Sequence, residues 1–495
     1  MKLFKSITLW AITGLMVLLL LAGCEASPMR ENVQSKNNAL FNERINSDAG
    51  GDKGSEMPDS SSEKLAEHSF SSMDSSVIYN LSTDFPDIER AMPVIEVVPY
   101  SFTEEDAKRI GEILFSDSVF YEYDPESPYS QEELTERIDF LSGYLSSDSA
   151  LNEVYGNYLG SVFISHISNE IQAIVDRYNA QLSTAVQSQQ KEICDWQFFP
   201  SEHYIQAAYR PDTPQGNEEI KAILTYEGIS YTYSVTNRER SDYRIHTICS
   251  YLSESNSMYT AETNLRTYSM CKSPALSEDH LLSMRNRLND QLNSMGIGTW
   301  SVDQCYAQEF GDGAYMVKAT AVPVFNGEVV TRQNQLLNLK MDDLFASNYY
   351  YTDAEFVFSP SGQLISCFIF SPVEVVDIVN SDVTTLSAAE LYECLETNLM
   401  FRGISDYTAD GRYSANEEDV LGVVDINEIA YGLTRIKVRD KPDHYYYVPA
   451  LTVRGTFDIV DIASPYNAGN LNKEPETLLV INAVDGTVID VSKGY

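Results

Sequence analysis

Basic residues are scarce in this chain. Thirty-four lysines and arginines stand against 73 aspartates and glutamates, a formal net charge of -39 over 495 residues. So acidic a surface repels phosphate backbones and anionic headgroups, which excludes nucleic acid as an expected partner. Histidine is also rare: His68, His166, His203, His246, His280 and His444 are the six, and none falls in a helical His-Glu-x-x-His zinc motif. The chain has no Cys-x-x-Cys pair, no Gly-x-Ser-x-Gly elbow and no glycine-rich phosphate loop. These gaps argue against a zinc cluster, a serine hydrolase elbow and a nucleotide site. Carboxylates are so abundant that any two could be offered as a glycosidase pair, which deprives such a pairing of weight. The expectation is a protein that is not an enzyme and carries no cofactor.

A long apolar span is missing as well. Lys2 and Lys5 precede an apolar run from Ile7 to Leu21, which ends in Leu21-Ala22-Gly23-Cys24. The run is too short and too abruptly ended for a stable membrane helix. A basic start, a short apolar stretch and small residues at the cut describe a secretory signal peptide. A cysteine directly after Ala22-Gly23 makes it a lipoprotein signal, with Cys24 as the lipidated residue. Two acyl chains of a diacylglyceryl (palmitate-type) group hold a membrane stably, where one binds only marginally. The expected location is the extracytoplasmic face of the cell membrane.

Six cysteines follow Cys24: Cys194, Cys249, Cys271, Cys305, Cys367 and Cys394. They are scattered, mostly in apolar stretches, so disulfides and buried free thiols are both open readings.

The composition divides the chain into a signal peptide (1–23), a polar serine-rich tether (24–76), a helix-rich α+β region (77–273) and two further units (274–380 and 381–495). The tether offers little apolar surface to offset ordering entropy and is expected to be disordered. Ordered structure is expected from about Ile88. Thr103-Glu104-Glu105-Asp106 and Ser130-Gln131-Glu132-Glu133 are helix-start signals, the second a capping box. A longer helix is expected from about Val162 to Val186. Alternation between Cys194 and Cys271 predicts several antiparallel strands. In the second half, a helix near Ser277-Glu278-Asp279 precedes strands at Trp300 to Phe310, Tyr315 to Phe325, Ala354 to Phe358 and Leu364 to Ser371. Ser387-Ala388-Ala389-Glu390 then opens a second helix, ahead of strands at Val420 to Ile429, Gly432 to Val438 and Tyr445 to Phe457. A last hairpin is expected to close on Asp485-Gly486 in a type I′ turn. A helix followed by a strand meander, twice in succession, reads as an internal duplication. The fold class expected is α+β, with two tandem helix-on-antiparallel-sheet units.

The stretch Ser387-Ala388-Ala389-Glu390-Leu391, the pair around Tyr431-Gly432-Leu433, Tyr446-Tyr447-Val448-Pro449-Ala450 and the run Leu479 to Ile489 resemble the terminal modules of PepSY-like envelope proteins. Those modules pair one helix with a curved antiparallel sheet in a cystatin-like manner. Over its length, including Met92-Pro93-Val94-Ile95 ahead of Phe102-Thr103-Glu104-Glu105, the chain is similar to a family of lipoproteins from Gram-positive anaerobes. The resemblance implies a fold and a non-catalytic regulatory or protease-modulating role, holding a protein or peptide of the envelope. The insert Arg402 to Asp419 departs from the pattern. Two other roles compete: a solute-binding (peptide or carbohydrate) lipoprotein of an importer, and a surface hydrolase.

One stretch matches a cation site. Asp406, Thr408, Asp410 and Ser414 fall at positions one, three, five and nine of a calcium loop, with Gly411 at six and Glu417 at twelve. Arg412 would offer only its carbonyl. The residues after Glu417 read as a strand, not a second helix, and a solvated acidic loop is the competing account. The 32 tyrosines, including Asn348-Tyr349-Tyr350-Tyr351 and His444-Tyr445-Tyr446-Tyr447, could line a groove. Half-buried strands favour tyrosine anyway.

Overall fold

The computed structural model describes residues 38–46, 68–123, 129–155, 161–185, 187, 192–200, 218–227, 229–239, 244–252, 261–273, 276–309, 313–333, 351–404, 420–438, 441, 443–461 and 475–491. The chain is α+β. It begins with α1 (Asn38–Ile45), β1 (His68–Ser71), β2 (Val77–Leu81), β3 (Val94–Pro99), α2 (Glu104–Leu114) and β4 (Phe120–Glu122). There follow α3 (Gln131–Leu145), α4 (Asp148–Tyr155), α5 (Ser161–Leu182), β5 (Phe199–Pro200), β6 (Glu218–Tyr226), β7 (Ile229–Glu239), β8 (Arg244–Leu252), α6 (Ala261–Cys271) and α7 (Glu278–Ser294). The rest comprises β9 (Trp300–Glu309), β10 (Tyr315–Phe325), β11 (Glu328–Val329), β12 (Asp353–Phe358), β13 (Leu364–Phe370) and β14 (Val373–Asn380). Last come α8 (Ala388–Met400), β15 (Val420–Lys437), β16 (Tyr445–Asp461) and β17 (Glu476–Asn482).

Local chemistry sets the helix starts. Thr103, Ser130 and Ser387 each accept from the backbone N–H three residues on, while Asp106, Glu133 and Glu390 reach back to the cap backbone. Each reciprocal pair satisfies two orphan donors, and a cap of this kind contributes about 1 kcal/mol. Ser277 caps α7 by accepting from the His280 N–H.

The described strands form two sheets. The larger has ten strands, with β10, β12, β13, β8, β7, β6 and β4 paired in that order, β9 and β11 beside β10, and β5 beside β6. Its core packs against α2 to α7 through residues such as Ile110, Leu134, Leu141, Ile171, Leu265 and Leu288. The smaller has seven, ordered β1, β2, β15, β16, β3, β14, with β17 beside β16. Its inner face buries Tyr79, Ile95, Val97, Val453 and Ile481 beneath Leu391, Leu395 and Leu399 of α8. Those three leucines recur every fourth residue, so one stripe of α8 faces the sheet. Its other face carries Val94, Val448, Ala450 and Val480 beneath α1 and the C-terminal turn.

Sheet pairing crosses the sequence boundaries drawn above. β13 pairs with β8, from Ser366 opposite Tyr251 to Phe370 opposite Thr247, so strands from both sides of residue 273 share one sheet. β3 lies in the sheet of the last unit, antiparallel to β14 and to Tyr445–Tyr447 of β16. Within the expected tether, α1 is ordered by Ile45, 4% exposed, and by Phe41, both packed on the outer face of the smaller sheet. The hairpin of β1 and β2 likewise forms before Ile88. The expected strands at Val420 and Gly432 are one bulged strand, β15. Cys271 ends a helix, not a strand.

Asp485-Gly486 does not form a type I′ turn. Only Gly486 has positive φ, at 76°, and it closes a four-residue loop in which its N–H donates to the Asn482 carbonyl at 2.8 Å. The mirror-image turn lies at Asn326-Gly327, with φ of 52° and 87°, joining β10 to β11.

Candidate functional site

Cys24 lies outside the described residues, as does the stretch holding Asp406, Thr408, Asp410, Arg412, Ser414 and Glu417. The flanks of that stretch are described: α8 precedes it and β15 follows it. Among the described residues no group of three or more histidine, cysteine, aspartate or glutamate side chains is placed to hold a metal. Cys194, Cys271, Cys305, Cys367 and Cys394 are free thiols, and the Cys249 side chain is outside the described set. Burial pushes the Cys271 thiol up to about 12, which leaves it inert as a nucleophile. Tyr445 and Tyr447 are core residues, 4% and 1% exposed, as expected of sheet tyrosines; Tyr349 and Tyr350 are not described.

A charged seam joins the two sheets. After β11 the chain runs along β15, where Thr331 N–H donates to the Leu433 carbonyl at 2.9 Å. Gly432 permits this approach, since a side chain there would strike the Thr331 hydroxyl and lie 3.0 Å from the Val329 carbonyl. Gln333 Nε2 then donates to the hydroxyls of Thr434 and Thr452, both at 3.2 Å. Arg332 Nη2 donates to Glu355 Oε1 at 2.5 Å, and Arg332 Nε lies 3.6 Å from Asp353 Oδ2. Arg454 donates to the Arg332 carbonyl and, at 3.0 Å, to both carboxylate oxygens of Glu428. Arg435 donates to Thr352 Oγ1 at 3.1 Å and lies over the Tyr445 ring. Burial pushes the Asp353 carboxyl up to about 7, against the pull of Arg332 and with added push from Glu355 and Asp303. Asp353 keeps a fifth of its side chain exposed, so protons reach it.

A second network ties three helices together. Glu262, 2% exposed, accepts from Arg137 at 2.8 Å, Arg266 at 3.0 Å and the Tyr178 hydroxyl at 2.7 Å. Burial alone would raise its pKa, yet Arg137 and Arg266 hold the carboxyl below the usual range. The nearby groove lined by Glu132, Glu136, Asp139 and Phe140 is wide open. Two histidines are tied to structural partners: His444 Nδ1 lies 2.8 Å from Glu96 Oε1, and His280 Nε2 lies 2.9 Å from the Pro360 carbonyl.

The third feature is β14, at one edge of the smaller sheet and paired only with β3 among the described strands. Val375, Val376 and Ile378 are 47%, 52% and 47% exposed, and Glu374 and Asp377 are exposed beside them. Val375 and Ile378 stand opposite Val97 and Ile95 of β3, so they share one face, with Val376 at the bulge between Val375 and Asp377. Exposed aliphatic side chains grouped in this way are rarely left in water without a use. The valine-rich run after Ser371-Pro372 signals this strand, beyond the one expected at Leu364 to Ser371.

No family model matches the chain, and no curated protein matches it. Among solved structures, an uncharacterized protein from Eubacterium rectale aligns over 91% of this chain and 97% of its own, at 10% identity and a TM-score of 0.35.

Proposed function

We propose that the protein is a lipoprotein, anchored through Cys24 to the extracytoplasmic face of the cell membrane, which binds a protein or peptide of the envelope without catalysing a reaction. The observation that carries the binding role is β14, a sheet edge with three exposed aliphatic side chains. Ordinary monomer surfaces avoid such edges because they recruit other strands. The anchor and the excess negative charge would keep the body near the membrane while holding it off anionic headgroups. In this reading the role is regulatory or protease-modulating, as in the PepSY-like modules that the last unit resembles.

The importer reading fits less well. Solute-capturing proteins alternate strand and helix to build two parallel-sheet lobes. Here the described strand pairs are antiparallel apart from β2 with β15. In-cell crosslinking followed by purification of the tagged chain tests the proposal. A reproducible envelope partner is expected, and recovery of nothing beyond the untagged control would remove the role.

A further inference from the structure

The edges of the two sheets are treated differently. At the β9 edge, Asn293 Oδ1 accepts from Trp300 N–H at 2.9 Å and Asn289 Oδ1 from Val302 N–H at 2.8 Å. Arg285 donates to the Val302 carbonyl at 2.6 Å, so α7 occupies backbone groups that a foreign strand would need. At β4, the Phe120 carbonyl accepts from Cys194 N–H at 3.0 Å, and Glu122 N–H donates to the Glu192 carbonyl at 2.9 Å. β1 has only four residues. β14 is twice as long, at eight residues, and Val375, Val376 and Ile378 stand exposed along it.

We propose that β14 receives an extended, basic segment of the partner by strand addition, an inference that rests on the partner-binding reading above. Main-chain hydrogen bonds to an edge give affinity, and alternate side chains give selectivity. The aliphatic residues offer apolar contact. Glu374 and Asp377 are interspersed with them, on a chain with formal net charge -39, and select lysine or arginine between apolar residues in the incoming strand. The same charges exclude a second copy of this chain. Antiparallel self-pairing would bring the acidic residues of two strands together while joining two strongly acidic bodies. β14 bulges twice against β3, at Val375/Asp377 and Ile378/Asn380. Bulges twist an edge away from flat partners, so a short flexible segment fits it better than the edge of another folded sheet.

The test uses the full chain, purified in detergent, and two blocked octapeptides, one alternating lysine with valine and the other glutamate with valine. Hydrogen exchange of the 373–380 amides and fluorescence anisotropy are read with each peptide. The lysine peptide is expected to bind, to slow exchange within 373–380 and to weaken with salt. The double variant Glu374→Lys, Asp377→Lys alters only exposed side chains and leaves the fold intact. It is expected to lose roughly tenfold or more in affinity for the lysine peptide and to gain for the glutamate peptide. Absence of binding, protection outside 373–380, or equal affinity in the variant overturns the assignment. Crosslinking in cells separates the two claims. A partner captured equally by wild type and variant removes β14 and leaves the binding role, whereas no partner for either removes both.

Discussion

Arg332 Nε stands 3.6 Å from Asp353 Oδ2, and Arg454, through the Arg332 carbonyl, links this pair to the other sheet. Asp353 begins β12 of the ten-stranded sheet, while Arg332 follows β11 and is fastened to the seven-stranded sheet through Arg454. The carboxyl titrates near 7 because burial outweighs its arginine. Its folded pKa therefore lies above the unfolded value of 3.8, and the native state holds the proton more tightly. Stability is expected to fall as pH rises from about 4 to about 7, and to level off above that. Thermal melts across this range should show the decline, and Asp353→Asn should flatten it by roughly 1–3 kcal/mol, less than the full linkage value because the group is partly exposed. An unchanged slope in the variant would assign the pH dependence elsewhere.

Glu262 behaves oppositely. Arg137 and Arg266 depress its pKa despite burial, so its contribution is present above the unfolded pKa and lost as pH falls through the folded one. Arg137→Ala leaves a buried carboxylate short of its main partner. A loss of about 3–5 kcal/mol is expected in denaturant unfolding. Replacing Arg137 and Glu262 together with apolar residues of similar volume should restore much of it.

Gly432 keeps the seam closed. Gly432→Val would thrust a branched side chain at Thr331 and the Val329 carbonyl, with an expected cost of about 1–3 kcal/mol. Hydrogen exchange at Thr331, whose N–H bonds the Leu433 carbonyl, should rise before that of β15 itself. Equal exchange at both positions would mean that the strands separate as one unit.

For the stretch Asp406 to Glu417, a helix before and a strand after supply a different frame from the paired helices of a calcium hand. Calorimetric titration with calcium is expected to give no heat beyond dilution at millimolar concentration. A saturable signal lost in Glu417→Gln would instead assign a calcium site.

Short-range chemistry carried most of what could be read from the sequence. Ser130 with Glu133 and Ser387 with Glu390 are three residues apart, so each cap declares itself without knowledge of the rest of the fold. The strands at Tyr315 and Leu364 begin where alternation placed them. Gly432 looked like a break between two strands because its reason is non-local: Thr331 packs where a side chain would stand. The same holds for β3, whose apolar run shows a strand but not its partners in β14 and β16, more than 270 residues away in the chain. The seam was invisible for this reason. Arg332, Asp353, Glu428 and Arg454 are ordinary charged residues until the two sheets meet. β14 was within reach, for its valine-rich run is local, yet an exposed edge and a buried strand share that pattern.

The proposed role depends on the chain working as a tethered body outside the cell. Metabolic labelling with palmitate, followed by membrane fractionation, tests this directly. Wild type is expected to carry label and to sediment with membranes, and Cys24→Ala to lose both properties while the folded part remains intact. Unlabelled wild-type protein in the cytosol, with residues 1–23 still attached, would contradict it.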